Sequence, residues 1–189
     1  MTPINTRTSI THPLHIATLD LPTGGRIGVT FCPGKCDASA MTGAWSRDLE
    51  VDLRAIVDWG ASTLVTLIET HEFHALGVPN LGVSAQAQGL VWHHLPIRDV
   101  SVPDASFENA WQAIGPDLRQ RLHRGEGLVV HCRGGLGRAG TVAARLLVEL
   151  GEAPARALAR VRSVRPGAVE TQEQERHVLG CRAQASGAA

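Results

Sequence analysis

Leu128-Val-Val-His-Cys-Arg-Gly-Gly-Leu-Gly-Arg138-Ala-Gly-Thr-Val-Ala-Ala-Arg-Leu-Leu147 is the stretch on which the reading of this chain turns. Leu128 to Val130 is an apolar run the size of one buried strand. It breaks at Gly134, Gly135 and Gly137 and resumes as an Ala/Leu/Val-rich segment of helical character. A strand that passes through a glycine loop into a helix N-terminus builds an anion site, because backbone N–H groups and the positive helix end converge on one point. Cys132 opens the loop and Arg138 closes it. That spacing lets Arg133, Gly134, Gly135, Leu136, Gly137 and Arg138 wrap one tetrahedral phosphate, the glycines taking conformations that a Cβ would obstruct. Arg138 offers a planar fork to two phosphate oxygens. The same amides and helix end favour a thiolate at Cys132. A thiolate facing a held phosphate is a nucleophile set for displacement.

Around this stretch, helical and strand patterns alternate. Leu14 to Leu19 and Ile27 to Phe31 read as short strands about the Pro22-Thr-Gly-Gly25 turn. Ser46 is the expected N-cap of a helix through Val57, closed by Gly60, and Ser62 to Ile68 is a β-branched run of central-strand type. Residues 69–89 suggest a turn of helix from His71 to Leu76 and a second helix ending at Gly89. Leu90 to Leu95 is a strand that delivers the Pro96-to-Asp104 loop and then a long amphipathic helix over 105–124. Three helices, at 138–150, 154–164 and 171–183, finish the chain. This rhythm predicts an α/β fold with a central, mostly parallel sheet of four or five strands flanked by helices on both sides. Residues 1–13 are expected to be a flexible N-terminal arm or an edge arm, and 14–185 a single domain.

The chain has 189 residues, 43% hydrophobic and 19% charged, with zero formal net charge. Nothing in that balance favours nucleic acid or an anionic membrane. No apolar run reaches membrane-span length and Met1 to Thr11 has no signal-peptide core, so the expected location is the cytoplasm. Four cysteines do not make a disulfide framework in a chain of this size. Lys35 is the sole lysine among many arginines, alanines and glycines, which reads as the codon bias of a GC-rich, bacterial genome.

His131-Cys-Arg-Gly-Gly-Leu-Gly-Arg138 resembles the His-Cys-x5-Arg signature loop of the cysteine-dependent dual-specificity and tyrosine phosphatases. Leu95-Pro-Ile-Arg-Asp-Val-Ser-Val-Pro-Asp104 is similar to the acid loop of that family's kinase-associated branch. Cys32-Pro-Gly-Lys-Cys36, Val78-Pro-Asn-Leu81 and Arg165-Pro-Gly-Ala-Val-Glu-Thr-Gln-Glu-Gln174 fall where the branch has similar segments. The resemblance spans residues 14 to 180. It implies a phosphatase-like domain that hydrolyses phosphomonoesters through a phosphocysteine, without metal or other cofactor. Its substrates would be phosphorylated proteins or peptides, and phosphate analogues such as vanadate would inhibit it. Asp99 falls at the general-acid position, and Asp104 is its rival, though Asp104 also reads as a helix N-cap. Either would then activate water. Gln174 matches a glutamine that positions this water, set against a plain solvated helix face, and His131 would orient the loop by hydrogen bonds. Two departures stand out: Glu170 occupies a common glutamine position, and Ala139 replaces the Ser or Thr that assists departure of the sulfur. The second predicts that the phosphocysteine breaks down more slowly than it forms.

The chain has no tyrosine. The deep aromatic wall of strict phosphotyrosine enzymes is therefore not evident, and dual specificity is expected. Two other readings stand beside it. One is a phospho-binding module with weak turnover, favoured by Ala139 and Glu170. The other is a phosphatase for a phosphoinositide, inositol phosphate or RNA 5′-end, against which the loop offers only Arg133 as extra positive charge. Cys32 and Cys36 with His71 and His74 could form a metal site, or serve as a redox partner for Cys132, but a Pro-Gly-containing spacing favours ordinary loop cysteines. One of His93 and His94 is expected in the core and the other at the surface, with Cys181 packing a helix.

Overall fold

The computed structural model describes residues 6–40 and 43–184. In chain order the elements are β1 (Ala17–Asp20), β2 (Arg26–Phe31), β3 (Cys36–Asp37), β4 (Trp45–Ser46), α1 (Leu49–Asp58), β5 (Ala61–Thr66), α2 (Thr70–Ala75), α3 (Leu81–Ala87), β6 (Val91–His94), α4 (Ala105–His123), β7 (Gly127–Cys132), α5 (Gly137–Glu149), α6 (Pro154–Val164) and α7 (Gln172–Gly180). The main sheet has the order β1-β2-β7-β5-β6. Its β1–β2 pair is antiparallel and the other three are parallel. The expected α/β architecture is present, at the five-strand end of the range.

Strand β7 lies at the centre, and all six of its residues are buried. A parallel strand covered on both faces needs the near-continuous apolar run seen in the sequence. One face of the sheet packs Leu53 and Ile56 of α1 with Leu81 and Ala85 of α3. The other packs Phe107 and Leu118 of α4 with Val142 and Leu146 of α5, Val161 of α6 and Val178 of α7. The loops after β2, β5, β6 and β7 therefore gather at one sheet edge, beyond the strands' C-terminal ends, where ligands of open α/β sheets bind.

Two expectations shift. Ser46 does not cap α1: it pairs with Cys36 in the small β3–β4 ribbon, and Asp48 caps the helix by accepting from Val51 N at 3.0 Å. Asp48 stands directly before the first turn, whereas Ser46, two residues earlier, has its backbone in the ribbon. The last helix ends at Gly180 rather than at 183. Of residues 1–13, those described run along the domain as an edge arm. Arg7 N donates to Ala44 O at 2.9 Å, Ser46 N donates to Arg7 O at 3.0 Å, and Ser9 is buried against Asp48.

Arg47 fastens this corner. Its buried guanidinium grips Asp52 through Nε at 2.7 Å and Nη2 at 2.8 Å, and donates to His12 O at 2.7 Å. Asp52 also accepts from Gly34 N at 2.8 Å, which ties the loop after β2 to α1. Removing one partner of a fully buried pair strands the other charge. Asp52→Ala should therefore lose about 3–5 kcal/mol in urea unfolding, far more than an exposed control such as Asp58→Ala.

Candidate active site

The signature loop leaves the centre of the sheet. Cys132 ends β7 and is 3% exposed; Gly135 has φ +68°, and a Cβ there would collide with the backbone of Thr30 and Phe31. Arg165, from the segment after α6, donates through Nε to Gly135 O and through Nη2 to Gly134 O, each at 3.0 Å. Holding those carbonyls from behind turns the opposite edges of the peptide planes inward. The amide N–H groups of residues 134 to 138 donate to no other described residue. They form the kind of concave donor set that binds oxyanions.

Arg138, on the first turn of α5, is 2% exposed. Its Nη1 donates to Glu72 Oε2 at 2.6 Å and to Ile97 O at 3.1 Å, and its Nη2 donates to Glu72 Oε1 at 3.0 Å. Its Nη2 also pairs with Asp99 Oδ1 at 2.9 Å. Burial opposes the guanidinium's charge, but Glu72, together with the fields of Cys132 and Asp99, holds it more firmly protonated than an ordinary arginine. Glu72 is buried too. Burial alone would raise its carboxyl, yet the Arg138 hydrogen bonds and the Glu69 N–H (2.8 Å) bring it below the usual carboxylate range. Glu72 reaches this place because α2 opens with a capping box: Glu69 accepts at the third helical position while Glu72 reaches back.

His131 is fully buried, and burial pushes its pKa down to about 3. Its Nε2 lies 2.8 Å from Thr66 Oγ1, which also accepts from Trp92 Nε1 at 2.9 Å. A neutral imidazole thus ties β5 to the end of β7 that carries Cys132.

The remaining candidates divide. Asp99 stands at the rim, its side chain 56% exposed, held by Arg138 alone among the described cations. Asp104 accepts from Phe107 N at 2.9 Å and caps α4. Gln174 is wholly buried and heavily engaged: its Oε1 accepts from Glu170 N at 3.0 Å and Thr171 N at 3.3 Å, and its Nε2 donates to Ser101 O at 3.1 Å. It clamps the acid loop to α7 rather than lying on a solvated helix face. Arg133 is half-exposed and tied to Asp37 Oδ2 at 2.8 Å. The Thr141 hydroxyl donates to Gly137 O at 2.7 Å and so does not replace the hydroxyl missing at Ala139.

Cys32, Cys36, Cys132 and Cys181 are free thiols, and burial raises the thiol of Cys32 well above the usual range. No group of three metal-ligating side chains is assembled among the described residues. Glu72 and Arg165 were not singled out from sequence. Glu69 and Glu72 show capping-box spacing, but nothing local says that the box also presents a carboxylate to an arginine 66 positions away.

A family model described as "Polymorphic toxin system, DSP-PTPase phosphatase" matches residues 40–152. The chain belongs to this dual-specificity and protein-tyrosine phosphatase family. Cyclin-dependent kinase inhibitor 3 of Rattus norvegicus is 34% identical over 131 residues, 68% of this chain and 60% of that protein. The match thus spans under two thirds of the rat relative's length. The Homo sapiens protein of the same name is 30% identical over 169 residues, 86% of this chain and 76% of that one. Kinase-associated phosphatase, solved with its catalytic-site cysteine substituted by serine, superposes with a TM-score of 0.76 at 28% identity, covering 88% of this chain and 93% of that one. The active form of Tk-PTP gives 0.61 at 28% identity, covering 80% and 88%.

Glu72→Ala should free the guanidinium to drift, and misplacing a clamp by about 1 Å costs about 10² in rate. The expected result is a fall of about that size in kcat/KM on an aryl phosphate, with Glu72→Gln intermediate. His131 supplies a pH signature. Its folded pKa is depressed, so its contribution is complete above its unfolded value of about 6.5 and is lost as pH falls toward 3. His93 and His177, lowered by burial, act in the same sense. Urea midpoints measured across that window should fall less steeply in His131→Asn than in the wild type.

Proposed function

We propose that this protein hydrolyses phosphomonoesters in two steps through a phosphocysteine on Cys132, with phosphotyrosine and phosphoserine or phosphothreonine in proteins or peptides as substrates. The observation that carries this reading is the convergence of the 134–138 amides and the Arg138 guanidinium at the end of the strand that bears Cys132. Asp99 lies within ion-pairing reach of the same guanidinium. The absence of tyrosine from the chain supports dual specificity.

In the first step Cys132 sulfur attacks phosphorus in line, while the amides and Arg138 hold the equatorial oxygens. Glu72 and Ile97 already occupy three of the four Nη contacts described above. An incoming phosphate therefore takes the Nε side and the Nη2 position paired with Asp99. Binding thus releases Asp99 from Arg138 just as a leaving-group oxygen arrives for it to protonate. Asp104, committed to capping α4, is the poorer acid. Gln174 acts in this reading as a positioning residue, holding the acid loop through Ser101.

Cys132→Ser should abolish turnover and keep phosphate-analogue binding; turnover that survives it overturns the mechanism. Asp99→Asn should lower kcat/KM on a phosphopeptide by about 10²–10⁴, and much less on p-nitrophenyl phosphate, whose leaving group hardly needs a proton. Because Asp99 competes for Arg138, the same variant should bind inorganic phosphate more tightly in calorimetry.

A further inference from the structure

We infer that Glu170 is the general base of the second half-reaction, taking the proton of the water that hydrolyses the Cys132 phosphoenzyme. This inference rests on the phosphocysteine reading above. Three observations carry it. The Glu170 carboxylate lies directly on Gly137, where α5 begins: a Cβ on that residue would collide with Glu170 Oε2. The carboxylate is exposed, and no described residue gives it a hydrogen bond or an ion pair, whereas Asp99 is drawn to Arg138. Gln174, which presses on the same glycine, spends its carbonyl oxygen on the amides of Glu170 and Thr171 and its amide nitrogen on Ser101.

The backbone around Glu170 points the same way. Only two non-glycine residues among those described have positive φ, Val100 at +53° and Val169 at +58°, and both are β-branched. One follows Asp99 and the other precedes Glu170. Strain of this kind costs on the order of 1–3 kcal/mol and persists only where surrounding contacts impose it. At Val169 the imposing contacts are Arg162 Nη2 to Val169 O at 3.1 Å and Val169 N to Leu136 O at 3.3 Å, which dock this segment on the signature loop. The fold thus aims one carboxylate at the loop from the acid-loop side and a second from the side of α7.

Water oxygen bonds to phosphorus as the S–P bond breaks, its electron pair remaining on Cys132 sulfur. The water proton passes to Glu170, inorganic phosphate leaves, and Glu170 returns the proton to solvent. With alanine at position 139, no hydroxyl at that position stabilises the departing sulfur. Activation of the attacking water then carries more of the burden.

The test is pre-steady-state hydrolysis of p-nitrophenyl phosphate by the full chain, wild type against Glu170→Gln and Glu170→Ala. The phosphoenzyme is trapped by rapid quench, and folding is checked by thermal melting. kcat/KM reports formation of the phosphoenzyme, and kcat its breakdown when breakdown limits turnover. Both variants should keep the burst and kcat/KM, lose about 10²-fold or more in kcat, and show KM falling in proportion. Added formate should restore part of kcat in Glu170→Ala. An unchanged or raised kcat, or kcat and kcat/KM falling together, overturns the assignment to Glu170. If the wild type forms no phosphoenzyme on Cys132, the nucleophile reading fails and this inference fails with it.

Discussion

A guanidinium buried to 2% exposure at the end of a parallel sheet is the constraint on which the rest of the molecule depends. Such a charge costs several kcal/mol to bury unless it is paired and its N–H groups are satisfied. Glu72 meets that requirement with two hydrogen bonds, and α2 with its capping box is the device that carries Glu72 inward. The Ile97 carbonyl adds the acid loop to the same arginine. The loops after β5, β6 and β7 are therefore held together by one side chain. The same side chain keeps its Nη2 contact with the exposed Asp99 at the mouth of the loop.

Arg165 performs the complementary task on the backbone. By donating to the Gly134 and Gly135 carbonyls it fixes which edge of each peptide faces out. An anion cradle built from amides is otherwise a flexible stretch of glycine, with the largest conformational entropy to lose. Burial weakens the hold of Arg165 on its own proton, while the neighbouring Cys132 favours its charged form. Arg165 behind the loop and Arg138 at its end both feel the charge of Cys132.

The segment 165–174 links these parts. It carries Arg165 at one end and Gln174 at the other, with the strained Val169 and Glu170 between them. Gln174 binds the start of α7 to Ser101, so the Pro96-to-Asp104 loop is tied through one side chain to the segment that carries Glu170. Glycine at 137 allows the close approach, since a Cβ there would press on the ends of the Glu170 and Gln174 side chains. One glycine of the loop is thus there for conformation, Gly135 with its positive φ, and another for the room it leaves.

How much of this could be read in the chain depended on the range of the interaction. The strand, glycine loop and helix from Leu128 to Leu147 are written locally: apolar run, breakers and helix formers follow one another within twenty residues, so both the α/β fold and the loop were legible. Asp104 as a cap was legible for the same reason. Where two local signals competed, as Ser46 and Asp48 did for the start of α1, the choice went to the residue outside the β3–β4 ribbon, directly before the first turn. Glu72 on Arg138, Arg165 behind the loop, Asp37 on Arg133 and Gln174 on Ser101 join residues 30 to 96 positions apart. Sequence by itself determined which residue types were available for such chemistry and that Cys132 and Arg138 share one loop. Only the tertiary structure decided which carboxylates face that loop and which are spent on structure, because a charge buried by folding takes its partner from whatever the packing brings near it, not from its neighbours in the chain.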